Sequence, residues 1–148
     1  MNEKYDKEGN LIYYENPDKV KYWRKFNKNN KVIYEKNSDN REWWSKYDER
    51  DNLIYNKYSP DNHEYWYKYD ENNNRIYYKD SDGREYWYKY NEDNNRIYYK
   101  DSDGRECWYK YNEDNNGIRI SQQEFKQIER RKLYLNIKRS NRFELMDI

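Results

Sequence analysis

Alanine and threonine are missing altogether from this 148-residue chain, and Leu, Ile, Val and Phe together fill only 20 positions. So few aliphatic side chains cannot build the oily core of a helical bundle or a Rossmann-type enzyme. One cysteine, Cys107, and one histidine, His63, leave no intramolecular disulfide and none of the usual zinc patterns. No apolar run approaches the length of a membrane span, and Met1 to Asp6 lacks the apolar stretch of a signal peptide, so a cytoplasmic protein without membrane association is expected. An excess of charge is also lacking: 30 Lys and Arg face 29 Asp and Glu, which predicts no broad attraction to nucleic acid or anionic lipid. Aromatic residues are abundant, at 20% of the chain, and 21 of them are tyrosine. Apolar area therefore comes from rings, and a composition that would otherwise suggest disorder can fold.

The strongest signal is an internal repeat. Tyr69 to Lys89 reads YDENNNRIYYKDSDGREYWYK and Tyr90 to Lys110 reads YNEDNNRIYYKDSDGRECWYK, a period of 21 residues. Trp23, Trp44, Trp66, Trp87 and Trp108 mark five copies from Tyr5 to Lys110, with one extra residue in the stretch Ser59-Pro60-Asp61-Asn62-His63. A sixth copy starts at Tyr111 and breaks at Gly117. Each copy holds two short segments rich in aromatic or β-branched residues, Arg75 to Lys79 and Glu85 to Tyr90 in one of them, separated by polar turns. Gly9, Asn30, Asp51, Asn73, Asn94 and Asn115 recur in the first turn, and Asn40, Gly83 and Gly104 in the second, the residue types that accept a left-handed backbone. The expected fold is all-β: an elongated, twisted meander of hairpins, ten or eleven strands over residues 1–116. Alternation places Tyr86, Tyr88 and Tyr90 opposite Trp87, and Ile76 with Tyr78 opposite Tyr77. The repeat core is expected to be one face carrying the five tryptophans with Ile33, Ile54, Ile76 and Ile97, the tyrosines and lysine stems covering the other.

Residues 117–148 differ in kind. They carry eight Leu or Ile residues and a local charge of +4, from eight Lys and Arg against four Asp and Glu. Ser121 to Glu124 spells a capping box, so a helix near Gln122 to Lys132 is expected, followed by a strand in which Leu133, Leu135 and Ile137 alternate. This small α+β segment would cap the array.

At the level of Tyr69-Asp70 through Asn74, Ile76-Tyr77-Tyr78, and the Asp80-Ser81-Asp82-Gly83 turn with Glu85 and Trp87, the chain resembles the YD/RHS repeat class and, more loosely, the MORN-like repeats of some bacterial antitoxin proteins. It is similar to short tyrosine- and tryptophan-rich proteins of bacterial prophages and mobile elements. RHS proteins form large shells of many repeats, and five copies cannot enclose a cargo. The resemblance implies a small binding or inhibitory protein in phage–host or toxin–immunity conflict.

Catalytic patterns are not found. His63 lies in the proline-containing insertion, where a surface-loop histidine is expected rather than a general base. Cys107 occupies the position of Tyr65 and Tyr86 in the other copies and reads as a repeat substitution. The turns Asp80 to Gly83 and Asp101 to Gly104 hint at calcium, but aligning Gly83 with the invariant glycine of an EF-hand loop puts Tyr78 and Lys89 where the outer carboxylates should stand. No cofactor or metal is expected. The leading expectation is a non-catalytic binding protein that blocks a bacterial protein or ribonucleoprotein complex by occlusion, either as an anti-CRISPR-like counter-defence inhibitor or as an immunity protein. Its expected contacts are Tyr67, Tyr88 and Tyr109 with the basic residues Arg130, Arg131, Lys132, Lys138 and Arg139. A single-stranded RNA or ribonucleoprotein binder, with bases stacked on the rings, comes second. A cell-wall glycan-binding module comes third.

Overall fold

The computed structural model describes residues 2–144. Twelve strands precede one helix: β1 (Asn2–Tyr5), β2 (Leu11–Glu15), β3 (Lys21–Phe26), β4 (Val32–Asn37), β5 (Glu42–Tyr47), β6 (Leu53–Ser59), β7 (His63–Tyr69), β8 (Arg75–Asp80), β9 (Glu85–Tyr90), β10 (Arg96–Asp101), β11 (Glu106–Tyr111), β12 (Gly117–Ile120) and α1 (Gln122–Glu144). The sheet is antiparallel and open, with strands in sequence order. The hairpin meander is as the repeat predicts, and its twelfth strand, Gly117–Ile120, falls where the first strand of the broken sixth copy would stand. The chain divides into two compact units, residues 1–87 and 88–148, the division falling inside β9.

One turn design recurs at every connection but that between β6 and β7, where the Ser59–Pro60 peptide is cis. The first residue is Asp or Asn, and its carboxylate or amide oxygen accepts the backbone N–H four residues on: Asn10 to Asp6 (2.8 Å), Lys31 to Asn27 (2.9 Å), Arg41 to Asn37 (3.0 Å), Asn52 to Asp48 (2.8 Å), Arg84 to Asp80 (3.0 Å) and so through the chain. The fourth residue of each turn has positive φ, as the sequence predicts for Gly9, Asn30, Asn40, Asp51, Asn73, Gly83, Asn94, Gly104 and Asn115. Lys19, at φ 62°, takes the same conformation without the side chain that favours it. Neighbouring turns are tied by their amides: Asn10 donates to Asn30 (3.0 Å), Asn29 to Asp51 (2.8 Å) and Asn52 to Asn73 (2.8 Å).

In the unit of residues 1–87, register decides the faces. Tyr13, Tyr34, Tyr55 and Tyr77 stand directly opposite Trp23, Trp44, Trp66 and Trp87. Their ring centroids are 5.7–5.8 Å apart with planes tilted 49–52°. Ile33, Ile54 and Ile76, which immediately precede these tyrosines, stand where the register shifts by one residue and have no cross-strand partner in the ladder. The residues set opposite the tryptophans are therefore tyrosines and not the isoleucines expected to share their face. The opposite face carries Tyr65, Tyr67, Tyr78 and Tyr86 as a connected ring cluster, with centroids 5.5–6.2 Å apart.

Neither face closes into an oily core. Four of the five tryptophans and all the predicted isoleucines are half-buried, and Trp23 is 41% exposed. Among the described residues the buried side chains are Ile120 and three polar ones, Asn37, Asp80 and Asp101, each of the three closing a strand at a turn. Ring-on-ring contact and ladder hydrogen bonds do the work of a core, each tilted aromatic pair adding about 0.5–1.5 kcal/mol beyond its buried area.

In the unit of residues 88–148 the same pattern continues, with Tyr98 facing Trp108 at 6.0 Å. β12 pairs with β11, setting Ile120 opposite Trp108. Ser121 caps α1, its hydroxyl accepting the Glu124 N–H at 3.2 Å. The Glu124 carboxylate takes Lys110 instead of turning back, at 2.7 Å, so half of the predicted capping box forms. The helix does not stop at Lys132. Leu133, Leu135 and Ile137 are helical, not a strand, and exposed. Gln, Glu, Leu, Lys and Arg are strong helix formers, no Gly or Pro follows Gly117, and a helix satisfies its backbone without needing a partner strand.

Candidate functional site

The tryptophan face is built from one cross-strand row per repeat. Lys4, Lys25, Lys46 and Lys68 stand opposite Tyr13, Tyr34, Tyr55 and Tyr77, with each ammonium 5.3–5.6 Å from the ring centroid. Past the tryptophan comes a second lysine: Lys36 opposite Trp23, Lys57 opposite Trp44 and Lys79 opposite Trp66. These second lysines are ion-paired to Glu42 (3.0 Å), Glu64 (3.1 Å) and Glu85 (2.9 Å). The hydrogen bond from Lys79 holds the Glu85 carboxyl below its usual range, and Glu85 in return raises Lys79. Residues 88–148 repeat the motif, with Lys89 at 5.6 Å over Tyr98 and Lys100 paired to Glu106 at 3.4 Å. The sequence signal for the first lysine of each row is the recurrence of lysine two positions after each repeat tryptophan, at Lys25, Lys46, Lys68 and Lys89.

The tyrosine face is bound by arginine. The Arg75 guanidinium lies 6.0 Å from the Tyr67 ring centroid and 5.6 Å from that of Tyr78. Arg96 lies over Tyr88 (5.9 Å), Tyr99 (5.8 Å) and Tyr109 (5.7 Å). The expected contact tyrosines, Tyr67, Tyr88 and Tyr109, are therefore half-buried and packed under guanidinium planes. Tyr67 donates to Asn56 Oδ1 at 3.3 Å, and burial raises its phenol. Of the expected basic contacts, Arg130, Arg131, Lys132 and Lys138 are exposed on α1. The side chain of Arg139 lies outside the described residues. Lys132 lines an open crevice of 730 Å³ between helix and sheet together with Ile97, Tyr109, Tyr111, Phe125 and Ile128. Lys138 lies 5.1 Å from the Tyr134 ring centroid.

The acidic turns are saturated by their own donors. Asp80, 1% exposed, accepts the N–H groups of Asp82 (3.1 Å) and Arg84 (3.0 Å) and the Tyr78 hydroxyl (3.0 Å), and pairs with Arg84 Nε (2.8 Å). Burial pushes its carboxyl up, yet these donors outweigh burial and hold it below the ordinary value. Burial and the bond to Asp80 push Tyr78 up to about 12. Asp101 has the same arrangement with Arg105 and Tyr99. Among the described residues no buried side-chain nitrogen or oxygen lacks a partner, and no cluster of three metal-ligating side chains forms. His63 is not in a loop: it opens β7 opposite Tyr58, and its Nε2 lies 3.5 Å from Asp82 Oδ1. The extra residue is absorbed in the turn before it, so the strand begins one residue earlier than composition suggests. Cys107 is half-buried, unpaired, and opposite Tyr99.

No family model matches the sequence, and none of the curated proteins is detectably similar to it. Solved structures are. A Photorhabdus luminescens Tc holotoxin pore carrying a TccC3 mutation superposes with a TM-score of 0.62 at 14% identity, over 80% of this chain and 8% of the toxin chain. A TcdB2–TccC3 crystal structure gives 0.60 at 12% identity over 78% and 7%, and a TcdB2–TccC3–TEV structure gives 0.56 at 15% over 67% and 5%. In fold, the array is similar to YD/RHS-type β-repeats. This chain spans less than a tenth of the toxin chains it matches. What the likeness carries is the hairpin repeat itself, which agrees with the Tyr-Asp and Ile-Tyr-Tyr motifs of the sequence.

Chemically, the YD/RHS-like array offers broad, repeated surfaces of half-exposed rings and cations. Its carboxylates are engaged in turns or ion pairs wherever they are buried.

Proposed function

We propose that this protein is a non-catalytic binder that blocks a bacterial macromolecular target by occlusion, either as a counter-defence inhibitor of the anti-CRISPR-like kind borne by a phage or mobile element, or as a toxin-neutralising immunity protein. One observation carries the reading. The same Lys–Tyr–Trp row recurs at each repeat in residues 1–87, half-exposed and held by turns of one design, so that contacts to a partner accumulate along the array. Tyr, Trp and cationic side chains on rigid elements suit such contacts, because their conformational freedom is already restricted before binding. The partner class is a bacterial protein or ribonucleoprotein complex met in the cytoplasm.

The test has two arms. Affinity capture from a bacterial lysate, with and without nuclease, identifies the partner and shows whether RNA mediates the contact. Titration against the purified partner should then abolish its activity at a fixed molar ratio. Inhibition at strongly substoichiometric amounts, with a cleaved or modified partner, would overturn occlusion.

A further inference from the structure

The two lysine rows on the tryptophan face are not equivalent. Lys36, Lys57 and Lys79 are neutralised by Glu42, Glu64 and Glu85. Lys4, Lys25, Lys46 and Lys68 are exposed, and among the described residues none of them has a carboxylate within ion-pair distance; each ammonium instead hangs over a tyrosine ring. Residues 1–87 thus present Lys4, Lys25, Lys46 and Lys68 as a row of uncompensated cations on a single face, joined in the first repeat by Lys21, which among the described residues also lacks an ion pair, despite the near-zero charge of the whole chain. Their spacing follows from the register. Lys4, Tyr13 and Trp23 lie in one cross-strand row, and Lys25 is two residues beyond Trp23. Two strand separations and that stagger set successive cations roughly 10–12 Å apart.

We propose that this lysine row docks an acidic, extended segment of a protein partner, with carboxylates seated over successive lysines and apolar side chains against the Tyr and Trp rings between them. The proposal rests on the occlusion reading and gives its partner a chemistry. Charge pattern decides between a polypeptide and a nucleic acid. A strand with a phosphate on every nucleotide would bring negative charge against the bordering Glu42, Glu64 and Glu85, where like charges repel. A polypeptide can set Asp or Glu over the free lysines only and place neutral or basic residues beside the glutamates. At about 10–12 Å, beyond the Debye length of roughly 8 Å at physiological salt, the lysines act nearly independently, so each adds its own increment.

The peptide (Glu-Ser-Tyr-Ser)4, whose carboxylates recur about every 13 Å along one side of an extended chain, and poly(U) serve as probes, titrated into the full chain at several salt concentrations and followed by tryptophan fluorescence. The peptide should bind, more weakly as salt rises, and K25Q/K46Q/K68Q should weaken it by about tenfold or more. The turn variant K7Q/K19Q/K28Q removes the same charge from elsewhere in residues 1–87 and should change it by less than about threefold. Circular dichroism verifies that both variants keep the sheet. Equal weakening by the two triple variants, or tighter binding of poly(U) than of the peptide, would overturn the proposal. A partner inhibited at a fixed ratio equally well by K25Q/K46Q/K68Q would also overturn it, while occlusion itself would stand.

Discussion

Removing the Asp80 carboxylate should unfasten a turn, and the repeat supplies its own control. Asp80 is buried and serves four donors: two turn N–H groups, the Tyr78 hydroxyl and the Arg84 guanidinium. In Asp80→Ala the N–H groups of Asp82 and Arg84 lose their acceptor inside the turn. These two N–H bonds and the bond from the Tyr78 hydroxyl are part-buried and each contributes about 0.5–1.5 kcal/mol, while the exposed Arg84 returns to water at little cost, so the total should be about 2–4 kcal/mol. Asp80→Asn keeps an oxygen for both N–H groups, as Asn37 does natively for Asp39 and Arg41, both at 3.0 Å. It gives up only the charged component and should cost about 1 kcal/mol. Urea denaturation at pH 7, followed by circular dichroism, measures both. A pH series adds a second reading. The folded-state pKa of Asp80 is lowered, so its contribution is complete above the ordinary carboxylate value and is lost as pH falls through the depressed folded value. Asp80→Asn should remove that part of the acid sensitivity. Equal losses for the Ala and Asn variants would refute the idea that the side-chain oxygen organises the turn.

Tyr78, raised to about 12, should be among the last phenols to ionise in a spectrophotometric alkaline titration. Because its folded-state value is raised, its stabilising contribution is present below pH 10 and disappears as pH climbs through about 12; a titration unchanged in Tyr78→Phe would contradict this. Trp66→Ala, at a half-buried ring packed against Tyr55, should cost about 2–3 kcal/mol, and Trp23→Ala, at a ring 41% exposed, clearly less; thermal melts of equal midpoint would show that burial does not rank the row. Lys19→Gly should stabilise the chain by about 0.5–1 kcal/mol, read as a higher urea midpoint, because Lys19 holds a φ of 62° that glycine adopts without a Cβ penalty.

What the sequence determined by itself is local. The 21-residue period, the two strands per copy, the left-handed residues at Gly9, Asn30, Asn73 and Gly83 and the cap at Ser121 were all legible, because each depends on the conformational preference of residues adjacent in the chain. The partition of side chains between faces was not. Ile76 and Tyr77 are adjacent large side chains in the sequence, and only the pairing of Tyr77 with Trp87 says that the tyrosine joins the tryptophans. The extent of α1 escaped for a related reason: Leu133, Leu135 and Ile137 satisfy a period of two, and a strand was excluded only by the folded chain providing a helix whose backbone bonds need no neighbour. The difference between the two lysine rows is likewise tertiary. Copies two to five contain both lysines, the first having Glu15 in place of the second one, and cross-strand register sets one beside a glutamate and the other over a tyrosine ring, which leaves one charge balanced and its neighbour free.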